Sequence, residues 1–197
     1  MSLFRLTRAP ETEPLIRGDG LYLRPAVSAD FTAWAHLRAE SRAFLTPWEP
    51  TWPADDLSRS AFRRRLRRYA EDQRSDQSYA FFLFRKNDHA LTGGLTLANI
   101  RRGVAQAATL GYWMGARYAG KGRMTRAVAA ATRYGFSTLR LHRIEAACLP
   151  QNIASISLLE RNGFQREGFA RAYLKIDGAW RDHVLYALIE HEAPRGF

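Results

Sequence analysis

The stretch Arg117-Tyr118-Ala119-Gly120-Lys121-Gly122-Arg123-Met124-Thr125 decides how this chain is read. Upstream, Leu110-Gly111-Tyr112-Trp113-Met114-Gly115 is apolar and aromatic and predicts a buried strand; downstream, Met124, Val128, Ala131, Gly135 and Leu139 recur at helical spacing. The order is strand, glycine loop, helix. Gly120 and Gly122 let the backbone turn tightly and approach a ligand with no Cβ in the way. The first amides of the helix have no partner inside it, and together with the helix dipole they attract phosphate. A P-loop would need Gly-x-x-x-x-Gly-Lys-Ser/Thr and a dinucleotide fingerprint Gly-x-Gly-x-x-Gly; neither pattern is present here.

Around this centre, 197 residues with 46% hydrophobic content suffice for one substantial core. The expected organisation is a loosely held arm over residues 1–20, which hold Pro10, Pro14 and Gly18, a single domain over 21–190 and a tail over 191–197. No run of about 18 apolar residues and no signal-peptide segment is present, which predicts a cytoplasmic protein without membrane contact. The single cysteine, Cys148, excludes an intrachain disulfide and a multi-cysteine metal site and fits a reducing compartment. A formal net charge of +11 attracts polyanions: nucleic acid, a ribosome surface or a phosphorylated cofactor. Only Lys86, Lys121 and Lys175 of the 30 basic residues are lysine, so codon bias towards arginine is an alternative source of that charge.

Taken in order, Leu21 to Pro25 predicts a first strand, and Ser28 caps a helix over Ala29–Ala39. Leu45-Thr46-Pro47-Trp48-Glu49-Pro50-Thr51-Trp52-Pro53 holds three prolines and two tryptophans, so its rings are displayed on an irregular loop. Trp48 and Trp52 there wall an acceptor pocket or simply cover the core. Asp55–Gln73 predicts a long helix with Leu57, Ala61, Phe62, Leu66, Tyr69 and Ala70 on one side. Six arginines between Arg59 and Arg68 lie elsewhere on it, either as a solvated face or as a weak RNA or ribosome contact. Tyr79–Lys86 and Leu91–Ile100 form a hairpin leading to the strand before the loop. Arg143–Leu149 (strand), Asn152–Arg161 (helix) and the strands Phe164–Leu174 and Asp182–Ile189 complete an α/β chain with a mixed sheet.

Arg-x-x-Gly-x-Gly resembles the pyrophosphate loop of the GNAT superfamily of acetyl-CoA-dependent N-acetyltransferases. The segment Leu141-His142-Arg143-Ile144-Glu145-Ala146-Ala147-Cys148-Leu149-Pro150-Gln151-Asn152-Ile153-Ala154-Ser155, with Leu159 to Phe164 and Tyr173 to His183, is similar to the RimJ/RimL branch, the N-terminal acetyltransferases of ribosomal proteins. This resemblance runs from about Leu21 to Leu188 and includes the Leu-Thr-Pro-Trp loop. It implies a mixed, mostly antiparallel sheet of about six to seven strands, with acetyl-CoA between two splayed central strands. It further implies direct transfer to a primary amine, with a protein N-terminus, possibly ribosomal, as acceptor. Small-amine acetylation and a non-catalytic CoA- or RNA-binding module are the rival readings.

On that resemblance, amides from Arg117 to Thr125, chiefly those of Gly120 and Gly122 and with Met124 among them, cradle the pyrophosphate. Lys121, Arg123 and Arg161 contact phosphates, and pantetheine lies beside Tyr112, Trp113 and Met114, an amide there polarising the thioester. Asn152 caps a helix and lies beside pantetheine, with Ser155 near the sulfur. Many superfamily members carry a tyrosine acid where this chain has Leu159, which leaves Ser155, Cys148 or Tyr173 to protonate the thiolate. Tyr173 also stands as a candidate against the acceptor loop. Glu145 is the candidate base, or else a carboxylate paired with an arginine. His142 and His183 have no ligand-spaced partner, so no metal is expected.

Overall fold

The computed structural model describes residues 15–194; most of the arm expected over residues 1–20, and residues 195–197 of the expected tail, lie outside the described residues. Eight strands form one sheet in the order β1-β2-β3-β4-β5-β6-β8-β7. They are β1 (Ile16–Gly18), β2 (Leu21–Arg24), β3 (Tyr79–Arg85), β4 (Leu91–Arg101), β5 (Ala107–Met114), β6 (Arg143–Cys148), β7 (Gln165–Ile176) and β8 (Ala179–Ile189). Every neighbouring pair is antiparallel except β5–β6. The mixed, mostly antiparallel sheet is as expected, with eight strands in place of six or seven. Part of the difference is Ile16–Gly18, assigned to the arm: three residues are too few for an alternating pattern, and the strand exists because it pairs with Leu21–Leu23.

Helices cover both faces. On one, α4 (Arg123–Ser137) and α5 (Ile153–Arg161) bury Val128, Ala131 and Leu159 against Leu83, Leu97, Ala108, Leu110, Ile144 and Leu188. On the other, α1 (Phe31–Glu40), the single turn α2 (Arg42–Leu45) and α3 (Arg59–Arg74) enclose a smaller aromatic core. There Phe62 lies 4.8 Å from Trp34 and 6.3 Å from Phe82 between ring centroids.

Two helix starts differ from expectation. Ser28 opens a 3-10 turn, and the residue that organises α1 is the buried Asp30, which accepts from the Val27 amide at 2.8 Å and binds both terminal nitrogens of Arg24. α3 begins at Arg59, not at Asp55, because Ser58 is its N-cap, the Oγ accepting from Ala61 N at 3.1 Å. Asp55 and Asp56 lie before the cap and reach forward to Arg64 and Arg65. β7 and β8 form a long hairpin; β7 is the sheet's far edge, almost wholly exposed, with a register shift between Ala170 and Leu174. The turn of this hairpin is tied to the tryptophan loop, since Asp177 N–H donates to the Glu49 carbonyl at 2.9 Å.

Candidate active site

β5 and β6 share three rungs, from Ala107↔Arg143 to Thr109↔Glu145. Beyond them β5 stays paired with β4 as far as Met114↔Gly93, and β6 with β8 as far as Cys148↔Val184. Leu110–Met114 and Ala146–Cys148 therefore diverge. The wedge between them opens towards the loop that starts α4.

Gly122 is the N-cap of α4 at φ 67°, makes no side-chain cap bond, and follows Gly120 at φ 72°. A side chain at either position would be strained, and a Cβ at Gly120 would meet nothing within 4 Å, so the loop is open as well as tightly turned. The first helical bond runs from Arg126 N–H to Gly122 O, which leaves the amides of Arg123, Met124 and Thr125 without an intrahelical acceptor. Arg123 Nη1 is buried with no partner. Donor-only chemistry with an orphaned guanidinium N–H fits a multiply charged anion such as a pyrophosphate. Lys121 and Arg161 are exposed, whereas the Arg117 side chain is drawn to Glu40 on α1 at 3.3 Å.

Across the wedge, Asn152 Oδ1 accepts from Ser155 N at 3.1 Å and fixes the start of α5, as its sequence position suggests. Ser155 Oγ then lies 2.5 Å from the Tyr112 hydroxyl on β5. Burial pushes the Tyr112 phenol up to about 12, although the Ser155 bond acts the other way. Cys148 ends β6 as a buried thiol, raised to about 11 by burial and by the charge of Glu160, so it is protonated at neutral pH. Tyr112 had been placed as a strand residue beside pantetheine; nothing local in the sequence pairs it with Ser155, 43 positions on.

The Tyr112 shift has a consequence for stability. Its folded value exceeds the unfolded value near 10, so the contribution is complete below pH 10 and is lost as pH rises through 12. Two units correspond to about 2 to 3 kcal/mol. Tyr112→Phe is therefore expected to flatten the fall of the urea midpoint between those pH values, and an unchanged slope would count against the shift.

Glu145 does not have the surroundings of a base. Its Oε1 accepts from Arg143 Nε at 2.9 Å and its Oε2 from Arg101 Nη2 at 2.5 Å, while Arg143 also binds Glu167. Each carboxylate oxygen thus accepts from a guanidinium group, the ion-paired arrangement that the sequence offered as the alternative to a base. Tyr173, half exposed, sets its ring edge against His183 at 5.8 Å and is not hydrogen-bonded to Ser155. His183 is 2% exposed, with Nδ1 2.9 Å from the Arg181 carbonyl oxygen. A carbonyl only accepts, so Nδ1 is the donor in this bond. Among the described residues no group of three or more His, Cys, Asp or Glu side chains is arranged to hold a metal ion.

On the face opposite α4 lies a cavity of about 610 Å³ between the tryptophan loop, α3 and the sheet. Trp52 lines it as expected, but Trp48, half-buried in a 3-10 turn, does not. Trp113 is turned to this side, so only its backbone can face the wedge. The guanidinium of Arg38 lies 4.0 Å from the Trp52 ring and 5.0 Å from that of Trp113, and makes paired 2.7 Å bonds to Glu49, which also accepts from Trp52 Nε1. Arg38 was missed in the sequence. The available signal was its place four residues after Trp34, on the buried side of α1. The cavity lining includes Thr96, whose rung partner Gly111 lies two residues beyond the last β5–β6 rung and has nothing within 4 Å of a Cβ added to it.

The chain matches the family model described as acetyltransferase (GNAT) domain over residues 20–165. It is 40% identical over 170 residues to the [ribosomal protein uS5]-alanine N-acetyltransferase of Escherichia coli (strain K12), covering 86% of this chain and 88% of that one. RimJ of Mycobacterium smegmatis in complex with CoA-disulfide superposes with a TM-score of 0.86 at 32% identity, covering 93% of this chain and 89% of the other. The ribosomal-protein-S5-alanine acetyltransferase of Vibrio fischeri gives 0.82 at 33%, covering 89% and 97%. With the splayed strands, the uncapped glycine loop and a family match over most of its length, the chain belongs to the GNAT acetyltransferases.

Proposed function

We propose that this enzyme moves the acetyl group of acetyl-CoA to the N-terminal α-amino group of a protein, a ribosomal protein with a small first residue such as alanine. The observation that carries this reading is the open glycine loop at the start of α4, with three amides lacking intrahelical acceptors, beside the splayed strands β5 and β6. Similarity to the uS5-alanine enzyme and to a CoA-bound RimJ supports it.

Acetyl-CoA supplies an activated acyl thioester. The amides of Arg123, Met124 and Thr125 and the orphaned Arg123 Nη1 bind its pyrophosphate, with Lys121 and Arg161 at the rim. The backbone of Tyr112–Met114 lines its pantetheine arm. The Tyr112 hydroxyl, steadied by Ser155, donates a hydrogen bond to the departing sulfur. An α-amino group has a pKa of about 7.7 to 8.0 against about 10.4 for lysine, so about a tenth of it is neutral at pH 7. Attack therefore needs no strong base, in keeping with the engaged state of Glu145. On α3, Arg64 and Arg65 are held by Asp55 and Asp56, which leaves Arg63 and Arg67 outward for a weak contact with ribosomal RNA.

Intact-mass analysis tests the reading. Ribosomal proteins and Ala-, Ser- and Met-starting peptides are incubated with enzyme and acetyl-CoA at low and at high salt. One acetyl group on Ala- or Ser-starting N-termini is expected, with turnover on assembled ribosomal particles falling at high salt. Transfer only to polyamines or aminoglycosides would replace the reading, and salt-independent turnover would remove the RNA contact.

A further inference from the structure

An amine that attacks a thioester must shed a proton from its nitrogen, and neither the carboxylate nor the thiol on β6 is placed to take it. Both oxygens of Glu145 accept from guanidinium groups, and Cys148 holds its own proton. His183, 2% exposed on β8, is a buried titratable side chain that the chemistry above does not use.

Alternation and register place its ring. Val184, Tyr186 and Leu188 pack into the core beneath α4 and α5, so His183 and Leu185 project from the other face of β8. Leu110, Tyr112, Ala146 and Cys148 pack into the same core, which puts Gly111 of β5 and Ala147 of β6 on the same face as His183. Gly111 and Ala147 each stand two residues beyond the last β5–β6 rung, one on either side of the opening. Ala147 pairs with Leu185, and His183 lies two residues farther along β8, towards the end at which β5 and β6 diverge. One face of the opening thus runs from Gly111, where an added Cβ would meet nothing within 4 Å, across the half-buried Ala147 and Leu185 to His183.

The ring is fixed on one side and open at one atom. Nδ1 donates to the Arg181 carbonyl at 2.9 Å, and Tyr173 stands edge-on with 5.8 Å between ring centroids. Nε2 forms no hydrogen bond with the described residues. It is nevertheless absent from the buried side-chain atoms left without a partner, which among the described residues are Arg38 Nε, Asp56 Oδ2 and Arg123 Nη1. Nε2 is therefore the accessible nitrogen of an otherwise enclosed ring. In a neutral imidazole a donating Nδ1 makes Nε2 the acceptor.

Resting on the function proposed above, we infer that His183 is the base of the reaction: Nε2 takes a proton from the amine as it attacks. The amine nitrogen bonds to the acetyl carbon and the carbon–sulfur bond breaks. The thiolate leaves under the Tyr112 hydrogen bond and gains its proton from solvent. The imidazolium keeps its Nδ1–H bond to the Arg181 carbonyl and returns the extra proton to solvent. Histidine in general is a base suited to neutral pH, and an α-amine that is partly neutral already needs no stronger one.

His183→Asn separates the base from the scaffold, because an asparagine amide can donate in place of Nδ1 while Nε2 is removed. On an Ala-starting peptide its kcat is expected to fall about 10²-fold, the lower end for general acid–base catalysis, with the acetyl-CoA KM unchanged. His183→Ala should fall as far and be rescued by added imidazole but not by pyrazole, a ring of the same size and a far weaker base. A His183→Asn kcat equal to that of wild type, or equal rescue by the two rings, would overturn the inference. If neither variant folds, the structure of wild type with a peptide joined through its α-nitrogen and an acetyl bridge to CoA decides. Nε2 should lie within about 3.2 Å of that nitrogen or one water away from it, and a wider separation would overturn the inference. Failure of the proposed function looks different. Wild type that acetylates a small amine and no peptide removes the protein acceptor, and the same kcat comparison on that amine then decides the role of His183. Wild type that acetylates no amine overturns both.

Discussion

Replacing Tyr112 with phenylalanine is expected to lower kcat about 10²-fold while acetyl-CoA affinity and the fold remain. The phenol stands 2.5 Å from Ser155 Oγ across the wedge, and burial holds it protonated at any physiological pH. A thiol comparable to cysteine has a pKa of about 8.5, so complete transfer of a proton from a phenol near 12 would be uphill by about 5 kcal/mol. On the proposed function, Tyr112 therefore acts as a hydrogen-bond donor to charge that develops on the leaving sulfur and keeps its own proton. Donors placed in this way are worth roughly 10²- to 10³-fold in kcat. Ser155→Ala should cost less, because Ser155 only steadies the phenol. Stopped-flow measurement of thiol release at saturating acceptor separates the two variants. A Tyr112→Phe kcat equal to wild type would remove the phenol from the reaction.

The second large effect is on stability. Glu49→Ala would leave the Arg38 guanidinium, 8% exposed, without the one anionic partner it has among the described residues and would strip Trp52 Nε1 of its acceptor. Breaking one side of a buried pair costs about 3 to 5 kcal/mol. At about 2 to 4 °C per kcal/mol for a chain of this size, Tm should fall by roughly 10 °C. The control is Asp55→Ala. Its pair with Arg64 has both side chains about half exposed, where an ion pair is worth about 0 to 1 kcal/mol. If calorimetry gave the same small shift for both variants, the Arg38–Glu49 pair would not be holding the loop. Arg38 adds a further reason to expect a difference, because its stacking on Trp52 and Trp113 prevents it from turning to solvent once Glu49 is gone.

What the sequence disclosed followed from how local each signal is. Gly120, Gly122 and the apolar spacing of α4 lie within one turn of each other and need no tertiary information, so strand, loop and helix were readable together. Asn152 was readable as a cap for the same reason. Glu145 was readable as a strand residue at the wedge, but its chemistry is set by Arg101, 44 positions away in sequence, and by Arg143. The start of α3 was misplaced because aspartates suit the first turn of a helix, whereas Asp55 and Asp56 act from outside it. Arg38 reads as a polar surface position until the loop carrying Glu49 and Trp52 closes over it. The cavity on that face, assembled from α1, that loop, α3 and three strands, was legible only at Trp52, because its other walls come from distant parts of the chain.

The far edge of the sheet presents a hazard that the chain has countered. β7 is twelve residues long, and an edge of that length with Phe169, Tyr173 and Leu174 exposed is a template on which another chain could add a strand and start aggregation. The register shift between Ala170 and Leu174, with Ala172 at φ 46°, breaks the straight run of backbone groups that such addition requires. Arg166, Arg171 and Lys175 place like charges along the same strand, so two copies approaching edge to edge repel one another. The bulge in the hairpin thus makes this edge a poorer template for strand addition than a flat one would be.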